Sequence, residues 1–73
     1  MPTKTTDHRV AANVRAEMAR RLHTQTSLAK EIGWTQQSLS RRLSGHVPFT
    51  VSELERIAAA LDVNVSELIE ASA

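Results

Sequence analysis

Cysteine and tyrosine are absent from this sequence, and tryptophan and phenylalanine occur once each. Without cysteine there is no disulfide staple and no thiolate metal site. A chain of 73 residues must then hold together through one thin core. No apolar run approaches the roughly 20 residues of a membrane span. The opening MPTKTTDHR lacks the apolar stretch of a secretory signal, so a cytoplasmic protein without membrane contact is expected. His8, His23 and His46 show no metal-ligand spacing. There is no glycine-rich phosphate loop and no nucleophile–histidine–carboxylate arrangement. The expectation is therefore no metal, no cofactor, no small-molecule ligand and no enzymatic activity.

Charge of one sign is also scarce, but by region. Residues 1–46 hold eight basic residues (Lys4, Arg9, Arg15, Arg20, Arg21, Lys30, Arg41, Arg42) against Asp7, Glu17 and Glu31, a balance of +5. Residues 47–73 hold Arg56 against Glu53, Glu55, Asp62, Glu67 and Glu70, a balance of −4. A basic half and an acidic half point to an anionic partner on one side only.

Strand-like alternation is absent, and the apolar spacing is helical throughout. The expected fold is all-α, a compact bundle of five helices with short connections. Residues 1–8 read as a flexible arm and 9–73 as the folded domain. Helix 1 is expected over Arg9 to Leu22, capped by Thr6 or Asp7, with Val10, Val14, Met18 and Leu22 as one stripe and Ala11 and Ala19 beside it. Helix 2 is expected over Gln25 to Ile32, with Thr24 as cap and Gly33 as stop. Helix 3 is expected over Gln36 to Ser44, with Thr35 as cap, Leu39 and Leu43 facing inward, and Gln37, Ser40, Arg41 and Ser44 on the opposite face. Thr50-Val51-Ser52-Glu53 is a capping box with Phe49 and Leu54 as its hydrophobic staple. Asn64-Val65-Ser66-Glu67 repeats that arrangement before a short helix 5 over Val65 to Ala71.

The stretch from Gln25 to Gly45 organises the rest. Counted from Gln25, Ala29 is fifth, Gly33 ninth and Leu39 fifteenth, with Leu28 and Ile32 at four and eight. Two crossing helices approach closest near the fifth residue, where only a small side chain fits. The ninth must turn the chain, and glycine takes positive φ without steric cost. The others fill the wedge. This is a helix-turn-helix layout.

At these residues the sequence resembles the Cro/CI family of phage repressors and their bacterial relatives. TQQSLSRRLSG is similar to the recognition helix of lambdoid repressors, and ALDVNVSELI to the family's fifth-helix entry. The resemblance implies a lambda-repressor-like domain in which helices 2 and 3 form the helix-turn-helix. It also implies a sequence-specific regulator of transcription, a phage repressor or Cro-like protein, that reads double-stranded DNA in the major groove with helix 3. Gln36, Gln37, Ser38, Ser40 and Arg41 are the base-reading candidates: a glutamine amide suits adenine, and an arginine fork suits guanine. Gln25, Arg15, Arg20, Arg21, Arg42, Ser44 and His46 are the phosphate candidates. Arg42 stands at the eighteenth motif position, usually apolar, so either Arg41 or Arg42 points into the groove. A slight rotation of helix 3 would let Leu43 fill that gap.

Trp34 is expected in core or turn packing. Two copies on a pseudo-palindromic operator are expected, with a homodimer surface where helix 5 leaves Val65, Leu68 or Ile69 partly exposed. No further dimerisation domain is expected, as in small Cro-like members. Two other readings fit the same residues. One is an antitoxin that represses its own toxin–antitoxin operon. The other is a protein-interaction module with this fold and no DNA role.

Overall fold

A computed structural model describes residues 3–70, as helices α1 (Thr3–Arg20), α2 (Gln25–Ile32), α3 (Gln36–Leu43), α4 (Val51–Leu61) and α5 (Val65–Ile69). The described residues contain no strand. The core joins Val10, Val14 and Met18 of α1 to Leu28, Ala29, Ile32, Leu39, Leu43, Leu54, Ile57, Ala58, Leu61 and Leu68, with Trp34, Phe49, Val63 and Val65 packed at its edge. A fully buried leucine such as Leu28 contributes roughly 1.5–3 kcal/mol. Among the described residues the bundle therefore depends on eleven large apolar side chains, beside two alanines.

The middle of the chain folds as the caps dictate. Thr24 accepts a hydrogen bond from the Ser27 amide at 3.0 Å, and the Ser27 hydroxyl accepts from the Thr24 amide at 2.9 Å. Thr35 caps α3 through the Ser38 amide at 3.1 Å. Thr50 and Glu53 form the expected reciprocal box at the start of α4, where each satisfied amide removes an unpaired donor.

Four helices end alike. The residue after the last turn is left-handed, its amide bonds three residues back, and the next amide bonds five back. The pairs are Leu22 to Ala19 with His23 to Met18, Gly33 to Lys30 with Trp34 to Ala29, Gly45 to Arg42 with His46 to Arg41, and Asp62 to Ala59 with Val63 to Ala58. This is the Schellman closure. The turning residues have φ of 59° (Leu22), 78° (Gly33), 87° (Gly45) and 61° (Asp62). A Cβ on Gly45 would lie 2.6 Å from the His8 ring, so glycine is needed there twice over, for its φ and for space.

The ends of the chain depart from the sequence expectations. α1 begins at Thr3 rather than Arg9, which places Thr6 and Asp7 inside the helix rather than at its cap. The apolar stripe starts only at Val10 because it marks packing, and no glycine or proline interrupts residues 3–9. Residues 1–2 of the expected arm lie outside the described residues. Leu22 does not join the core: the left-handed turn throws it outward, 91% exposed. Ala19 is exposed as well, because the buried face of α1 instead takes in Asn13 and Glu17.

Asn13 Nδ2 donates to the carbonyls of Leu68 at 3.1 Å and Glu70 at 2.7 Å, which ties α1 to the end of α5. α5 ends at Ile69, since Glu70 is extended; Ala71 lies outside the described residues. Asn64 makes no side-chain cap bond, so the second capping arrangement does not form. Leu68 is fully buried and Val65 half-buried. Of the three residues expected to be partly exposed on helix 5, Val65 and Ile69 are, and Leu68 is not.

Candidate nucleic-acid interface

α3 carries two apolar anchors in eight residues, Leu39 and Leu43, both buried. Their burial turns the opposite face outward. Gln36, Gln37, Arg41, Ser44 and His46 are exposed, and Ser38 and Ser40 are half-buried. Gln36, Gln37, Ser40, Arg41, Ser44 and His46 surround one shallow open depression. Thr35, Gln37, Ser38 and Arg41 line a neighbouring one. Gln37 and Arg41 border both. Ser44 donates to the Arg41 carbonyl at 3.1 Å and shares a 2.7 Å hydrogen bond with His46 Nδ1, which fixes the imidazole at the end of the helix.

Arg41 and Arg42 separate cleanly. Arg41 lies on the outward face. Arg42, offered by the sequence as a phosphate contact, turns back toward α4. Its Nε and Nη2 donate to the two carboxylate oxygens of Glu53 at 3.1 and 3.2 Å, and Nη1 donates to the Ser38 carbonyl at 3.0 Å. Its guanidinium lies 4.7 Å over the Trp34 ring, within cation–π range. Arg42 thus fills an apolar position by laying its stem and planar head on an indole, while Leu43 takes the core position beside it. Trp34 is half-buried against the core, as expected. Glu53 is the partner the sequence does not disclose; it reads there as a cap alone. Burial works to raise its pKa, but the Thr50 amide and the Arg42 guanidinium outweigh burial and hold it below the usual glutamate value.

The remaining basic residues divide by partner. An Nη1 of Arg15 donates to the Leu43 carbonyl and so caps the end of α3 from α1. Arg20 and Arg21 both reach the buried Glu17, while remaining 65% and 45% exposed at the side chain. Surface pairing of this kind is weak, so both arginines keep capacity for an anion. Gln25 is half-buried at the first residue of α2, where amides at the helix start favour negative charge. Among the described residues no helix is long and apolar enough to cross a membrane, and no three histidines or carboxylates group as metal ligands.

A family model described as helix-turn-helix matches residues 14–68, from the middle of α1 into α5. A search of curated proteins finds no match. Among solved structures, the chain is similar to a hypothetical transcription factor, NHTF, from Neisseria. The TM-score is 0.85 at 24% identity, covering 97% of this chain and 83% of that one. It is also similar to an HTH_3 family transcriptional regulator from Vibrio cholerae, with TM-score 0.82 and 18% identity over 89% of this chain; it spans 36% of that protein's length. At these identities the likeness carries the fold, while the family match covers the core and the site together. The chain belongs to HTH_3, the Cro/CI-type helix-turn-helix family of non-enzymatic, DNA-binding transcriptional regulators.

Proposed function

We propose that the chain is a sequence-specific repressor of the small phage or Cro-like type, acting in a bacterial cytoplasm. α3 lies in the major groove, with Gln36, Gln37, Ser40 and Arg41 at base edges and Ser38 at a base edge or phosphate. Gln25, Arg15, Arg20, Arg21, Ser44 and His46 hold phosphates and set register without reading sequence. The observation that carries this reading is the single outward face of α3, where amides, hydroxyls and an exposed arginine group around one depression. These are the groups that match base edges. A helix of eight residues reads only a few base pairs, so two copies on a pseudo-palindromic operator supply useful affinity.

Selection of bound duplexes from a random library tests the proposal. The expected result is an enriched motif with two related half-sites about one helical turn apart, bound with an affinity that falls steeply with salt. Enrichment of no motif, with weak binding indifferent to salt, would overturn it.

A further inference from the structure

The connection between α3 and α4 carries one further inference, which rests on the DNA reading proposed above. α3 packs against α1 and α2, and its two buried leucines sit one turn apart on the same side. They set its depth and turn the opposite face outward, and the Arg15 bond to the Leu43 carbonyl holds its far end toward α1. Toward α4 the bond is the Arg42–Glu53 fork, with Trp34 beneath the guanidinium. Each anchor is itself fixed. Glu53 is held by the capping box with Thr50, and Trp34 is packed against the core. Arg42 also binds the Ser38 carbonyl, which ties the start of α3 to the same clamp. Arg41 precedes Arg42 in the chain, about 100° around the helix. Holding Arg42 toward α4 therefore holds Arg41 away from it. A rotation of about 20° at a side-chain radius of ~6 Å shifts a group by ~2 Å, more than a hydrogen bond tolerates.

We propose that Arg42 and Glu53, with Trp34 as their platform, are a positioning and specificity-determining pair that fixes the final rotation of α3 within the face its leucines set, and so aims Gln37 and Arg41 at bases. The pair acts through its neighbours and touches no base. Direct phosphate binding by Arg42 predicts tighter binding on Glu53→Gln and an intact base preference in both variants, which makes the two roles separable.

The test uses Glu53→Gln and Arg42→Lys in the full chain, each measured on the library-selected duplex and on an unrelated one, with thermal melting alongside. Glutamine keeps the capping box, since it accepts the same bond from the Thr50 amide, and lysine keeps the positive charge. The expected result is a roughly tenfold loss of affinity for the selected duplex in both variants, the size of one misplaced base contact. Binding to the unrelated duplex does not fall, and repeated selection shows a relaxed preference. A role confined to stability would lower the melting temperature and leave the base preference intact. Removing a negative charge near DNA would by itself strengthen binding, so a Glu53→Gln variant that binds as tightly or more tightly, with its preference intact, overturns the pair. So does an Arg42→Lys variant with wild-type affinity and salt dependence. A wild-type chain that enriches no sequence overturns the DNA reading and the pair with it. Enrichment by the wild type beside unaltered variants overturns the pair alone.

Discussion

Leu22 holds a left-handed backbone at φ 59° with 91% of its surface exposed. For a residue with a Cβ that conformation costs roughly 1–2 kcal/mol, and no burial offsets it. Leu22→Gly is therefore expected to stabilise the chain by about 1 kcal/mol and raise its melting temperature by roughly 4–8 °C. A lower melting temperature would mean that the leucine makes a contact worth more than its strain. Glu53 gives a second residue-level expectation. Its folded pKa lies below its ordinary value, so the unfolded chain takes up a proton at higher pH than the folded one. Its stabilising contribution is complete above the ordinary glutamate pKa of about 4.3 and fades as pH falls through the folded value. Melting wild type and Glu53→Gln from pH 7 to 3 should show a gap that narrows below about pH 4.3. A constant gap would place the stabilisation elsewhere.

At the scale of the helices, capping chemistry separates what the sequence discloses from what it does not. Thr24, Thr35 and Thr50 announce three starts because a hydroxyl beside a helix has one strong use. Gly33 announces a stop because only glycine turns left-handed without strain. The closures at Leu22 and Asp62 are of the same kind but use residues that take this conformation less readily than glycine, and the apolar stripe of α1 runs on to Leu22, two residues past the helix end. Asn64 sits where a cap was expected and makes no cap bond. Thr50→Ala should accordingly cost about 1 kcal/mol in urea unfolding, and Asn64→Ala less than ~0.5 kcal/mol. Equal costs would contradict the observed capping. For another reason, the burial of Asn13 and Glu17 is not legible. A hydrophobic pattern registers only apolar residues on a buried face, while these two are buried because their polar atoms find partners there, Asn13 at the end of α5 and Glu17 on Arg20 and Arg21.

Across the whole molecule, the basic half of the chain builds α1, α2 and α3, and the acidic half builds α4 and α5. The outward face of α3 was legible because the spacing of Leu39 and Leu43 dictates what lies opposite. The choice between Arg41 and Arg42 was not, because it depends on a glutamate eleven residues further on, brought near by the path of the chain from α3 to α4. The Arg42–Glu53 bond crosses the boundary between the two halves and leaves Arg41 as the outward arginine at the centre of the proposed interface. The central claim is that this residue reads a base. The most direct measurement is library selection run in parallel on wild type and Arg41→Ala, followed by affinities on the wild-type motif. The account predicts a loss of roughly 1–3 kcal/mol and relaxed preference at one position of each half-site, with the other positions unchanged. An Arg41→Ala chain that selects the wild-type motif at every position would contradict it.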